Sequence, residues 1–445
     1  MSDSETRVAQ NSLWMILSRF GAQGLAVVFT VLVARRLGSE GFGEYALIIA
    51  IIFVGNALTT FGTDMLLIRE IAARDDFSRV PYALTVQLVL SGLFVAAVWV
   101  LGASILNQPS VSITALRISS FSLIPLAFFT VFTSILRGVQ RMDAYASIHL
   151  LFSLLQIGAV LLLYDRDLIL LVSLLLIAQT LSALFAGALC FLVIPRSWVV
   201  FHPSSLFLSS QFVSFLKEAA PIAVLALLGI AYQRLNIYLL ATMSGAVETG
   251  LYSAAFRAVE ASKTAHLAVF AALYPAISKG MSLLHSPASM LSAAVATAST
   301  SDLPSAQRER LVTAYAKFLL AGATIISLSL FILAGPLVVF LYGSEFMVSS
   351  SILQILAWIL IPFTINTYLT LSLLALNRER LIGRALAISL LALLALNFWW
   401  IPARGAEGSA WAALVAECVQ SIVLLASVRP VAALQGETRE LSELS

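Results

Sequence analysis

An all-α, polytopic membrane protein of about twelve transmembrane helices is the fold class this sequence predicts, on three observations. Sixty per cent of the 445 residues are hydrophobic and 11% are charged, whereas a soluble globular chain carries about 25% charged residues. The apolar residues gather into stretches of roughly 20 to 27, the length of helix that crosses about 30 Å of hydrocarbon. These stretches do not alternate apolar with polar residues over about ten positions, as membrane-spanning strands do.

The spans are predicted at Leu13–Ala34, Tyr45–Leu67, Tyr82–Leu106, Val111–Leu136, Ala144–Leu163 and Leu168–Ile194, then at Ala219–Met243, Tyr252–Ile277, Ala314–Phe340, Ile352–Leu376, Leu381–Ile401 and Ala410–Val428. The polar residues 1–10 and the absence of a small-x-small cleavage site after a first span that contains Arg19 predict a retained helix rather than a signal peptide. About sixteen Lys and Arg residues fall on one side of this arrangement. The other side holds Arg35, Arg36, Arg166 and Arg404. Basic residues in short loops stay cytoplasmic, so both termini are predicted in the cytoplasm.

Residues 1–194 then form an N-lobe of six spans and residues 218–428 a C-lobe of six. Residues 195–217 join the lobes as a cytoplasmic linker whose Trp198, Phe201, Phe207, Phe212 and Phe215 suit an amphipathic stretch on the membrane surface. Residues 279–310, rich in Ser and Ala, are expected as a flexible cytoplasmic loop, and 429–445 as a cytoplasmic tail. The outer loops are short and leave no room for an external catalytic domain. Cys190 and Cys418 both lie in apolar segments and are read as buried thiols with no disulfide or metal role. The net charge of +3 gives no argument for a nucleic-acid partner.

An internal repeat supports the division into six and six. The turn after the first span, Gly38 to Tyr45, and the turn after the seventh, Gly245 to Tyr252, both read G-x4-G-x-Y at an offset of about 207. Gln140-Arg141 after the fourth span matches Asn377-Arg378 after the tenth at an offset of about 237. Both copies begin on the same side, the parallel arrangement in which transporters bind substrate between repeats near the bilayer midplane.

The run Ala34-Arg35-Arg36-Leu37-Gly38 followed by Gly41-Phe42-Gly43-Glu44-Tyr45 resembles the first outer turn of the polysaccharide-biosynthesis, O-antigen (Wzx-type) flippases of the MATE-like MOP superfamily. Further matches follow in order: Gly62-Thr63-Asp64 to Arg69-Glu70, Leu136-Arg137-Gly138 to Arg141-Met142, Leu251-Tyr252-Ser253 to Arg257, and Leu341-Tyr342-Gly343 to Phe346. The resemblance implies an inverted-V bundle in the cytoplasmic (inner) membrane. It implies a substrate that is an oligosaccharide or polysaccharide repeat unit on a polyprenyl pyrophosphate carrier, moved to the outer leaflet alongside a polysaccharide polymerase or glycosyltransferases. One departure stands out: Asn236 follows Arg234-Leu235 where many relatives carry an aspartate.

Charges inside the membrane are expensive and mark polar interiors. Here they are Arg19, Arg117, Arg234, Arg257, Lys263 and Lys317 against Asp64, Glu260 and Glu417. Arg257, Glu260 and Lys263, spaced by three, fan across one face of the eighth span. That face either forms an internal salt-bridge network that fixes packing, or it is a cationic cavity wall that meets the pyrophosphate, since Arg forks match phosphate oxygens. Arg257, Lys263 and Arg234, with Arg117 and Arg19 nearby, are the candidate substrate-binding residues. Glu260, Glu417 and Asp64 are candidates for coupling or charge pairing, with Arg69 or Arg74 as expected partners of Asp64. Arg117 and Arg19 can equally snorkel to a membrane surface, Lys317 near the start of its span is read as snorkelling, and His149 and His266 read as interior histidines. Trp399 and Trp400 read as interfacial anchors. No phosphate-binding loop, nucleophile elbow or zinc motif is visible, so no cofactor is expected and the driving force must be an ion gradient, the membrane potential or substrate removal. The alternatives are a cation-coupled exporter of small amphipathic molecules on the same scaffold and a membrane polymerase or ligase, against which the short outer loops argue.

Overall fold

The computed structural model describes the backbone of residues 3–106, 110–163, 166–193, 210–281, 305–375 and 378–443, with the side chains of these except at 3–20, 22, 103–106, 110–111, 193, 265–281, 305–316, 375 and 428–443. No strand occurs among the described residues. In chain order the helices are α1 (Asp3–Thr60), α2 (Thr63–Arg74), α3 (Val80–Leu106), α4 (Ser110–Ser120), α5 (Leu123–Gly138), α6 (Met142–Leu161), α7 (Leu168–Val193), α8 (Ser210–Met243), α9 (Ala246–Met281), α10 (Ser305–Tyr342), α11 (Ser349–Ala357), α12 (Leu360–Ala375) and α13 (Glu379–Glu443). Helices thus extend into both ends of the 279–310 segment and into 210–217 of the expected linker, while the remainder of both segments lies outside the described residues, as does Asn377.

Nine stretches among the described residues are long and apolar enough to cross a membrane. Four of the nine contain a break: α1 departs from helical geometry at Gly38 (φ 73, ψ −177) and α13 at Gly405 (φ 53, ψ −129), and the stretches Ser112–Gly138 and Ser349–Leu374 are each interrupted between two helices. α9, which carries Arg257, Glu260 and Lys263, is not one of them.

The chain divides into two compact units, Met1–Ser253 and Ala254–Ser445. In the first, α1 packs on α6 and α8, and α5 on α2 and α7, around Leu66, Ile71, Phe129, Leu136, Ile148 and Phe215. One end of α8 is clamped there by Arg79, which pairs with Glu70 at 2.6 Å and Glu218 at 2.9 Å. In the second unit α12 packs on α13 around Leu369, Leu373, Ala385 and Leu424, and α10 packs on α11.

Three predicted spans are broken rather than continuous. The second stops at Phe61 (φ 50) and Gly62 (φ 68). Gly62 suits this place twice over: the left-handed backbone favours glycine, and a Cβ there would lie 2.9 Å from atoms of Ile222 and Ala223 on α8. The Thr63 hydroxyl donates to the Thr60 carbonyl at 2.7 Å and accepts from the Gln87 amide at 2.9 Å, so the freed polar groups stay bonded.

The fourth and tenth spans break at the same place in the repeat. Leu123-Ile124-Pro125 opens α5 and Leu360-Ile361-Pro362 opens α12, at an offset of 237. Proline has no N–H and its ring clashes with the carbonyl four residues back. The chain answers identically in both copies with bonds to the third residue back, Phe121 N–H to Ile118 O at 3.2 Å and Trp358 N–H to Ile355 O at 3.3 Å. A serine of the preceding span attends each break: Ser91 donates to Leu123 O at 3.3 Å and Ser327 to Ala357 O at 2.8 Å.

The G-x4-G-x-Y turns lie against each other. Gly38 and Gly245 both have positive φ, 73° and 87°. A Cβ on Gly43 would lie 1.8 Å from the carbonyl oxygen of Ala246, and one on Gly250 would lie 1.9 Å from that of Ser39. Ser39 and Ala246 are themselves 207 apart, so each turn presents to the other the contact it receives. The tyrosines that close the turns also occupy equivalent places: Tyr45 packs edge-on to Phe29 at 6.3 Å, and Tyr252 accepts a hydrogen bond from Asn236, 207 residues after Phe29, at 2.8 Å.

Backbone cannot retreat as a side chain can, so Gly43→Ala or Gly250→Ala should each cost about 1–3 kcal/mol or more. Thermal unfolding in detergent checks this, with Gly158→Ala as the control because nothing lies within 4 Å of its Cβ position. The control should melt with or above the parent.

Candidate functional site

The charged face of α9 is a departure from the repeat. At the 207 offset, Arg257, Glu260 and Lys263 correspond to Ala50, Phe53 and Asn56. The first copy carries no charge at these three positions, so helix packing alone does not call for three in the second.

Within the second unit the three charges separate into two systems. Arg257 donates to Glu260 at 2.6 Å, one helical turn along, with both side chains partly exposed. Lys263 takes a partner from another helix: its ammonium lies 3.0 Å from Oε1 of Glu417 on α13, and 4.6 Å from the centre of the Phe363 ring on α12. Two of the three charges are thus paired along the helix and the third across helices.

Glu417 is 6% exposed and its second oxygen accepts from the Asn366 amide at 2.8 Å. The Asn366 carbonyl oxygen in turn accepts from the Ser421 hydroxyl at 2.7 Å, which fixes the amide with its nitrogen towards the carboxylate. A buried carboxylate with a cation on one oxygen and an amide on the other meets the conditions under which burying charge is tolerated. Asn366 and Ser421 escaped the sequence reading because neither is charged. Their signal was an amide inside an apolar span and a hydroxyl one turn after an acid.

The remaining candidates have separate surroundings. In the first unit Arg234 stacks over the Phe53 ring at 4.5 Å, the position that corresponds to Glu260. Arg117 donates to the Trp99 carbonyl at 3.1 Å and lies 5.4 Å from the centre of that half-exposed ring, an anchored arrangement of arginine on tryptophan. Asp64 forms no ion pair with Arg69 or Arg74 among the described residues, and the cation whose field reaches it is Arg137. His149 packs edge-on to Phe129 at 5.3 Å, as an interior histidine does. Lys317 is exposed. The side chains of Arg19 and His266 lie outside the described residues. Cys190 is buried and Cys418 is exposed, against the expectation that both were buried.

Removing one partner of a buried pair leaves an uncompensated charge, at about 3–5 kcal/mol. Lys263→Met should therefore lower the melting temperature sharply, and Lys263→Met with Glu417→Gln should recover most of the loss. Melting curves of the single and double variants check the coupling.

The fold is similar to that of a lipid II flippase, MurJ, in an inward closed conformation, with a TM-score of 0.70 and 16% identity over 95% of this chain and 87% of that chain. It is equally similar to an inward-facing multidrug resistance MATE family transporter of the MOP superfamily, with a TM-score of 0.70 and 16% identity over 93% and 96% of the two chains. A MOP superfamily transporter from Pyrococcus furiosus matches with a TM-score of 0.63 and 16% identity over 98% and 97%. No curated protein sequence matches the chain. The family model described as polysaccharide biosynthesis protein matches residues 8–281, from the first span through the charged helix α9, and the chain therefore belongs to the polysaccharide biosynthesis protein family.

Proposed function

We propose that this protein is a flippase that carries a polyprenyl-pyrophosphate-linked oligosaccharide or polysaccharide repeat unit from the cytoplasmic to the outer leaflet by alternating access. The observation that carries this reading is the asymmetric placing of charge: the second copy of the repeat holds Arg257, Glu260 and Lys263 where the first holds Ala50, Phe53 and Asn56. A device that the scaffold does not need for packing is best explained by what the scaffold transports. Arg257 lies about 16 Å along the axis of α9 from Ala246, roughly half of a 30 Å hydrocarbon layer. A diphosphate whose tail stays in lipid would be met there by Arg257 and Lys263 on α9. The family description and the likeness to a flippase fold support the same reading.

The topology belongs to the proposal. Counting α1 and α13 as two spans each, at their breaks, and adding α9 to the other stretches gives twelve, six in each copy. Both termini are then cytoplasmic, as the basic residues require. A phosphatase reporter fused within 37–41 should be active, and one fused after 141 inactive.

A lipid-linked glycan delivered to the outer leaflet of reconstituted vesicles, or of a deletion strain, is the assay. Arg257→Glu should abolish delivery while the protein still inserts, and Arg257→Lys should retain part because the charge stays and the fork is lost. Wild-type delivery by Arg257→Glu sinks the assignment. The likeness to a multidrug transporter makes drug efflux the second assay, and efflux without glycan delivery would replace the proposal with an exporter of small amphipathic molecules.

A further inference from the structure

We infer that Glu417 is an internal stand-in for the substrate phosphate: it occupies the ammonium of Lys263 when the site is empty and is displaced when a diphosphate binds. This rests on the reading of Lys263 as a substrate-binding cation. Lys263 and Glu417 are 154 residues apart, on α9 and α13, and meet at 3.0 Å. The repeat equivalent of Lys263 is Asn56, so the pair is an addition to the scaffold.

The two partners are held very differently. Glu417 is fixed from behind, since Asn366 binds its other oxygen at 2.8 Å and is itself oriented by Ser421 at 2.7 Å. Lys263 is a flexible stem with a compact head, 17% exposed at the side chain against 7% for Glu417. Its ammonium also has a second resting surface, the Phe363 ring at 4.6 Å. The lysine is the member that can turn away, and the carboxylate keeps its amide donor when it does.

Among the residues with described side chains, the titratable groups nearest in sequence to the pair and its amide are Arg257 and Glu260 on α9, Tyr368 on α12 and Cys418 beside Glu417; α11, which also packs on α13, carries none. The anion that satisfies Lys263 in the described site is therefore Glu417. An empty cationic site in low dielectric is costly to carry through a conformational cycle. An internal carboxylate removes that cost in the unloaded step and competes with substrate in the loaded one.

The competition has a measurable sign. A site blocked nine-tenths of the time weakens apparent affinity about tenfold. Glu417→Gln keeps the hydrogen bond to Asn366 in shape and removes the charge. It should bind farnesyl diphosphate about tenfold more tightly than the parent at one fixed pH, measured by calorimetry on the purified full chain. The same variant should deliver lipid-linked glycan more slowly at saturating substrate, because its unloaded return carries a bare ammonium. A merely structural carboxylate predicts unchanged or weaker binding. Glu417→Asp, one methylene shorter, keeps the charge but lengthens the reach to Lys263 and should gain affinity by a smaller factor; it decides the matter if Glu417→Gln does not fold. Unchanged or weaker binding in these variants, with normal binding to the parent, overturns this inference and leaves the proposed function standing. No binding of farnesyl diphosphate to the parent overturns both.

Discussion

The requirement that no backbone donor or acceptor be left bare in hydrocarbon organises this molecule. The breaks at Gly62 and at the two Leu-Ile-Pro sites each come with a local remedy. At Gly62 the remedy is a threonine hydroxyl and the Gln87 amide. At the two Leu-Ile-Pro sites it is a set of tightened turns with a serine from the preceding span. Elsewhere the hydroxyls in the spans bond to the carbonyl four residues back, as Thr133 does to Phe129 and Ser389 to Ala385, the usual habit of serine and threonine in an apolar helix. The Leu-Ile-Pro breaks are therefore positioned features, recurring at an offset of 237.

Hydropathy carried the helical class and the places of most of the apolar stretches because both follow from the summed free energy of about twenty side chains. It could not carry the breaks. Pro125 and Pro362 sit in apolar runs and barely change a hydropathy window, and the Leu-Ile-Pro triplet becomes meaningful only once both copies are seen to bend there. The glycine turns were legible, since G-x4-G-x-Y recurs, but the carbonyls they face belong to the other turn. Spacing placed Arg257, Glu260 and Lys263 on one face and could not say what stood opposite. Arg257–Glu260 is local and follows from that spacing, whereas Lys263–Glu417 depends on packing between α9 and α13. The amide behind Glu417 was silent because a neutral asparagine raises no flag in a count of charges.

The two copies agree where backbone must be managed and disagree where charge is placed. Phe29 and Asn236 occupy equivalent positions and both contact the tyrosine of their turn, one by ring packing and one by hydrogen bond. Asn236 is thereby given a structural task. Phe53 and Glu260 are equivalent too, yet Phe53 receives the guanidinium of Arg234 on its ring face while Glu260 receives that of Arg257 on its carboxylate. A cation thus adjoins this position in each copy, held by an aromatic quadrupole in one and by a formal charge in the other.

Where the turns at Gly43 and Gly250 cross, like meets like, each glycine lying under the carbonyl that corresponds to the one it faces. Isologous contact of that sort is what a symmetric pair of separate subunits makes, residue i touching j and j touching i. The crossing thus has, inside one polypeptide, the geometry of a homodimer seam. Its two sides are not bound to mutate together, as identical subunits are, so the ban on a side chain must be kept twice. Relatives of this protein should accordingly keep both glycines or change both, and a chain that had lost one alone would have to have re-aimed its turn.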